Sequence, residues 1–326
     1  MATVSFSRRA AAAAKSALPS ALRTTWWMVR ITVLVSFGVE LLRYIGVLHW
    51  MSECLSPLFN LLGLPGEAAL AYISGYFVNA YAAVAVIDTL NLSGRAVTIL
   101  AVMILCSHNM LIESAVQRKC GTPLLRVIAV RTLGALVLGY TVHLLLPASS
   151  VEAVETSKVA VASSLPLWDT LVHWAISTSR LILKMITLIV GLTVLQRLLA
   201  EFGAIKLLSK LFRPLLVVFG LPARTSFLWI VANVLGLAYG AAVMIEETER
   251  GKISRRDADL LNHHIGVTHS NLEDVLLLYS VGALFWWMLL SRWCLSIVLV
   301  WERRLEYVIR RKYAFHKQQN IAAKAS

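Results

Sequence analysis

Charge is scarce in this sequence. Only 15% of its 326 residues are Asp, Glu, Lys or Arg, against roughly a quarter in a soluble globular protein. So few charges cannot wet a whole surface, which excludes a water-soluble fold. Cysteine is scarce too: Cys54, Cys106, Cys120 and Cys294 show no C-x-x-C spacing, so they specify neither a disulfide framework nor a structural zinc site. The sequence has no Gly-rich phosphate loop, kinase signature or nucleophile–base pairing, which predicts a non-enzyme without a cofactor and without its own ATP-driven step. Residues 1–25 lack the compact apolar core and small-residue site of a secretory leader, so no cleavage is expected there.

What the chain has in quantity is apolar sequence. Residues 26–48, 67–90, 95–117, 122–147, 171–199, 222–245 and 275–300 are each long enough for a spanning helix of about 20 residues, and a more polar eighth stretch covers 257–274. An all-α, polytopic membrane protein follows. Trp26, Trp27, Trp50, Trp168, Trp174 and Trp301 lie near segment ends, where aromatic belts form. The net charge of +13 is concentrated at the two ends, so it reads as membrane topology and not as nucleic-acid binding. The positive-inside rule then places both termini in the cytoplasm of an inner, or plasma, membrane protein.

The second half repeats the first. Pro57-Leu58-Phe59 with Gly63-Leu64-Pro65 recurs 157 residues later as Pro214-Leu215-Leu216 with Gly220-Leu221-Pro222. Ser107-His108-Asn109 meets Thr268-His269-Ser270, and Gly121 meets Gly282, at 161. A constant offset that slips by four implies duplicated units with a short insertion. The expected organisation is a basic segment 1–25, a first repeat 26–147, a linker 148–167, a second repeat 168–302 and a basic tail 303–326.

The mildly acidic linker suits the non-cytoplasmic side, which makes each half cross an odd number of times and inverts one half relative to the other. Three crossings plus one re-entrant element meet that count. With 50–64 interfacial and 67–90 spanning, the re-entrant turn is expected at Ser107-His108-Asn109. The basic stretch 246–256 opposes this scheme, because the scheme places it outside. Eight full crossings with parallel halves remain the alternative.

Two matched elements could carry chemistry: His108-Asn109 with Glu113, and His269-Ser270-Asn271 with Glu273 and Asp274. Ionisable groups at membrane depth are costly and face a protein or aqueous interior. Imidazole beside carboxylate can relay a proton, ligate a metal or hold a polar solute. Five residues of regular helix set His108 and Glu113 about 140° apart, so pointing both at one ligand requires unwound backbone. Asn79 and Asn233 add mid-segment amides, and Tyr81 and Tyr239 nearly match across the repeat. Glu67 is expected to cap a helix, Glu40 and Arg43 to pair, and His263-His264 to start a helix at the membrane surface.

Gly63-Leu64-Pro65-Gly66-Glu67, followed by a small-residue helix with Asn79 and Tyr81, resembles the Gate or nucleoside-recognition domain, as does the weaker copy from Gly220-Leu221-Pro222. That family includes concentrative nucleoside transporters, the membrane part of ferrous-iron permeases and spore-maturation membrane proteins. The iron permeases carry cysteines in their Gate motifs, and residues 63–90 and 220–245 have none. The resemblance implies a bilayer-embedded permease for a small polar solute or ion (nucleoside-like, organic anion or divalent metal). His108, Asn109, Glu113, His269, Asn271, Glu273, Asp274, Asn79 and Asn233 would line its site, with homo-oligomers compatible and nucleic acid not a partner. A non-transporting scaffold of envelope or spore assembly is the alternative.

Overall fold

The computed structural model describes residues 6–90, 92–147 and 166–325. Almost all of the expected linker, 148–167, lies outside them. The described regular elements are helices. The first half runs α1 (Phe6–Tyr44), α2 (Val47–Asn60), α3 (Ala68–Phe77), α4 (Ala80–Thr89), α5 (Gly94–Ser107), α6 (Met110–Lys119) and α7 (Leu124–Leu145). The second runs α8 (Leu167–Glu201), α9 (Ala204–Leu211), α10 (Arg213–Val218), α11 (Ser226–Val234), α12 (Leu237–Glu249), α13 (Arg255–Thr268), α14 (Glu273–Tyr279) and α15 (Phe285–Ala325). By length and composition α1, the run Gly94–Lys119 that joins α5 to α6, α7, α8 and α15 can each cross a membrane.

The repeat extends to the backbone. Gly46 and Gly203 open α2 and α9 with φ of 78° and 69°, and Gly63 and Gly220 have φ of 66° and 73°. Asn109 and Ser270, the only described non-glycine residues at positive φ, have 53° or less (49° and 53°). The four-residue slip falls between α12 and α13, where α12 outlasts α4 and Arg250–Ile253 follow it.

Equivalent helices run antiparallel. Along α1 and α8, Arg9 pairs with Glu201 at 3.0 Å, Arg197 donates to Ser16 at 3.1 Å, Thr32 meets Met185 at 3.5 Å and Trp174 donates to Ser36 at 3.2 Å. One chain number rises as the other falls. The same holds from Thr122–Asp259 through His108–His269 to Thr98–Leu284. The halves are therefore inverted, related by a two-fold axis across the helices, as in many transporters.

The re-entrant element is not where the sequence put it. α3 and α4 fold back on each other at Val78-Asn79, and α11 and α12 do so at Leu235-Gly236. A Cβ on Gly75 would lie 3.1 Å from Ala83 Cβ, and one on Gly240 would lie 2.6 Å from Ala232 Cβ. These are equivalent positions with the glycine on opposite arms, so small residues let the arms touch. The helices expected to span at 67–90 and 222–245 are thus hairpins. The expected turn at Ser107-His108-Asn109 is instead a break within a helix that carries on. Sequence could not separate these cases, because both leave three crossings per half.

This correction also removes the charge conflict. A hairpin returns to the side it left, so Arg250, Lys252, Arg255 and Arg256 rejoin the face that carries Lys206 and Arg213. Arg224 at the hairpin's start pairs with Asp257 at the start of α13, 2.5 Å away. Thr122–Asp259, Arg303–Asp259 and Arg126–Glu306 tie the α6–α7 turn, the start of α7 and α15 to that same basic end. At the other end Arg43 donates to Thr89 O, and Arg95 to His143 O and Leu146 O.

Two outcomes are expected. Gly240→Ala should lower the thermal stability of the purified protein by the equivalent of about 1–3 kcal/mol through overpacking, while Gly38→Ala, with nothing within 4 Å of its Cβ, should leave it unchanged. Single cysteines at Lys119 and Lys252 should react with an impermeant maleimide from one and the same side, and a cysteine at Arg95 from the other; labelling of Lys119 and Lys252 from opposite sides would refute the hairpin.

Candidate functional site

Both central helices break in mid-course. α5 ends at Ser107, followed by His108 in extended conformation, and α6 restarts after Asn109; α13 ends at Thr268, followed by an extended His269, and α14 begins at Glu273. A break leaves carbonyls and N–H groups without helical partners, and burial makes each costly to leave unpaired. The hairpins satisfy the N–H groups: Asn109 donates to Gly75 O at 2.9 Å, and Ser270 to Ala232 O at 3.3 Å.

The carbonyls are satisfied by two arginines that sequence reasoning passed over. Arg131 on α7, 1% exposed, donates to Cys106 O at 3.0 Å, His108 O at 2.8 Å and Glu113 Oε2 at 2.7 Å. Arg292 on α15, 0% exposed, reaches Val267 O and His269 O at 3.4 Å and Asn271 Oδ1 at 2.5 Å. Arg131 and Arg292 stand 161 residues apart, as do Cys106 and Val267, and His108 and His269. A guanidinium carries five donors in a fixed fork, which suits a cluster of inward-facing carbonyls. The legible signal was an arginine deep in each of two apolar spans at the repeat offset.

The arginines bring the matched elements together on the two-fold axis. His108 Nε2 and His269 Nε2 lie 3.3 Å apart. Glu113 Oε1 is 3.3 Å from His108 Nε2 and its Oε2 is 3.1 Å from His269 Nε2; Asp274 Oδ2 is 3.3 Å from His108 Nε2. Each half thus offers its carboxylate to the other half's histidine. Both Nδ1 atoms face backbone carbonyls one turn earlier, Ile104 O at 3.1 Å and Ile265 O at 2.8 Å. A carbonyl only accepts, so each Nδ1 bears the hydrogen, and each Nε2, when its ring is neutral, presents a lone pair to the centre. Two lone pairs and two carboxylates then face one another, an arrangement relieved by a cation between them. Donor atoms of His108, Glu113 and His269 lie within 4.8 Å of one another, close enough for a metal ion. Arg131, however, already holds Glu113, and its fixed positive charge opposes a divalent ion there.

The other expected residues divide. Glu273 accepts from Tyr81 at 2.8 Å, which links the hairpin of one half to the broken helix of the other. Asn271 donates to Asn233 Oδ1 at 2.6 Å. Asn79 is a helix cap, accepting from Ala82 N at 2.9 Å, and its repeat counterpart is Gly236, not Asn233. Tyr239 is 66% exposed and does not mirror the buried Tyr81. Glu67 makes no side-chain cap, whereas Glu40 and Arg43 pair as expected, 2.5 Å apart. His263 and His264 are buried and not at the surface: His264 packs against Phe219 and Trp229, and His263 accepts from Arg126 at 2.8 Å.

A family profile described as nucleoside recognition, the Gate domain, matches residues 25–141, in the first half of the chain. The "Uncharacterized membrane protein YvoD" of Bacillus subtilis (strain 168) is 31% identical over 284 residues, covering 86% of this chain and 91% of the relative. The chain belongs to the YvoD family of Gate-domain membrane proteins. Two solved structures of CNTnw also align. The inward-facing, substrate-bound state gives a TM-score of 0.42 at 15% identity over 83% of this chain and 72% of that one. The outward-facing N149S,F366A form gives 0.40 at 15% over 84% and 69%. In this Gate protein the second repeat, which the profile does not reach, carries the same elements as the first.

Replacing Arg131 by Met should destabilise the purified protein by about 3–5 kcal/mol, since Glu113 and two carbonyls are left buried without a donor. Adding Glu113→Gln should restore part of that loss in a thermal-denaturation double-mutant cycle; strict additivity would show that the pair does not interact.

Proposed function

We propose that the protein is a secondary transporter that moves a small polar solute or ion between its two inverted halves, with the His108–His269 cluster as its cation-coupling site. One observation carries this reading. The inverted repeat sets equivalent histidines and carboxylates face to face on its axis, in a geometry that is repulsive without a cation. A scaffold needs only to be held together, and apolar side chains would do that at lower cost.

A proton fits the centre best. Placed on either Nε2, it turns lone-pair repulsion into an imidazolium–imidazole hydrogen bond and supplies a donor toward Glu113 or Asp274. It adds one charge beside Arg131 and Arg292 where a divalent ion would add two. Asn271, Asn233, Glu273 and Tyr81 form a polar seam from the centre toward the hairpins, and a polar solute would find its donors and acceptors there. Because the hairpins meet their broken helices at the His-bearing breaks, movement of a hairpin alters the backbone bonds of Asn109 and Ser270. That links solute access to the state of the histidines. The positive-inside rule makes the basic end cytoplasmic, with both termini on that side.

Proteoliposomes tested with nucleosides, organic anions and divalent metals should show saturable uptake of one class, driven by an imposed pH gradient. His108→Ala and His269→Ala should each abolish it while monodisperse protein is retained. Failure of all three classes to move in well-folded wild-type protein would favour the scaffold.

A further inference from the structure

The two-fold symmetry fails along the approach to the histidines from the basic end. Thr122 donates to Asp259 Oδ1 at 2.8 Å and accepts from Asn262 Nδ2 at 3.0 Å, and Asn262 also donates to Gln117 O at 3.1 Å. Past this point the direct bonds stop at a cavity of about 10 Å³ lined by Gln117, Asn262, His263, Gly266, Arg126 and Arg131. That is close to the room one water requires. Three atoms among its lining residues are buried without any partner: Gln117 Nε2, Asn262 Oδ1 and Arg131 Nη1. Two donors and one acceptor are what a single water can satisfy at once. Orphans of this kind are costly unless solvated. Gly266 keeps the space open, because a Cβ there would stand 2.9 Å from Gln117 Nε2. From Arg131 the series continues to Glu113 at 2.7 Å, and from Glu113 to His269 at 3.1 Å.

Beyond Thr98, which stands where Asp259 does and is bonded to Gly94 O and Leu284 N, the equivalent approach from the other end is apolar. Ala101 stands where Asn262 does, Val102 for His263, Leu105 for Gly266, Leu278 for Gln117, Ala283 for Thr122 and Trp287 for Arg126. The first five are at most 2% exposed.

We infer that a hydrated half-channel between α6, α7 and α13 leads from the basic end to the central histidines and admits water and small hydrophilic cations, while the mirror-related approach is a dry seal. It deepens the transport reading and rests on it for its purpose: in this conformation the coupling cation reaches the occluded cluster from the basic face alone. Groups facing the pair are Glu113 on α6, Asp274 and Glu273 on α14, Arg131 on α7 and Arg292 on α15.

The test uses silver ion, a small hydrophilic thiol reagent, on protein in which the four native cysteines are replaced by Ala. Asn262→Cys and its counterpart Ala101→Cys are exposed to Ag⁺ in right-side-out and inverted vesicles, and the thiol left free is counted with a fluorescent maleimide after denaturation. A Lys119→Cys reporter identifies the basic face in each preparation. The Asn262→Cys thiol should be blocked from the basic face at least an order of magnitude faster than from the other, and the Ala101→Cys thiol from neither. Equal rates at the two positions, or from the two faces, would overturn the half-channel. Gln117→Cys against Leu278→Cys repeats the comparison should either first variant misfold. The readout involves no transport, so one-sided blocking in a protein that moves nothing would reject the transport reading and leave the half-channel standing.

Discussion

Two buried guanidiniums hold this architecture together. A helix that breaks in mid-membrane exposes carbonyls where no water reaches them, and Arg131 and Arg292 cap those carbonyls from the neighbouring long helices. Without those donors the breaks would heal into continuous helix or let water in. A healed helix would turn His108 and Glu113 about 140° apart and dissolve the cluster. The arginines are also its fixed positive charges, so the groups that stabilise the broken backbone set the electrostatics of the site as well.

Duplication explains why the site lies where it does. Two copies related by a two-fold axis place any residue near that axis beside its own counterpart, so one histidine per repeat becomes a pair and one carboxylate per repeat becomes a cross-brace. The arrangement costs few residues, but it leaves the approaches from both faces alike unless the copies diverge. Divergence is marked at those approaches: α13 is polar where α5 is apolar, and Gln117 and Thr122 bond Asn262 where their counterparts Leu278, Ala283 and Ala101 are apolar. Elsewhere the halves keep their shared glycines, breaks and arginines. Symmetry thus builds the centre, and its local loss makes the two approaches to it differ in polarity.

The sequence by itself determined a good deal. Scarce charge and long apolar runs decided a helical membrane protein, because bilayer solvation leaves few alternatives. The offsets of 157 and 161 decided a duplication, and the matched His–acid spacing decided where the ionisable groups of interest lie. The same offset also marked Arg131 and Arg292, which were legible as an arginine deep in each of two apolar spans and were passed over.

Only the tertiary structure decided which segment turns back. A stretch of twenty apolar residues is equally good as one crossing or as two arms of a hairpin, and the choice rests on contacts between small residues, Gly75 with Ala83 and Ala232 with Gly240, that no local pattern reveals. It alone decided that Asn79 caps a helix while Asn233 reaches Asn271, and that His263 and His264 are buried. Above all it decided that His108 and His269, 161 positions apart, meet at 3.3 Å. Local sequence sets what a residue can do; its partner is chosen by long-range packing of helices, and here by the axis that relates the two halves.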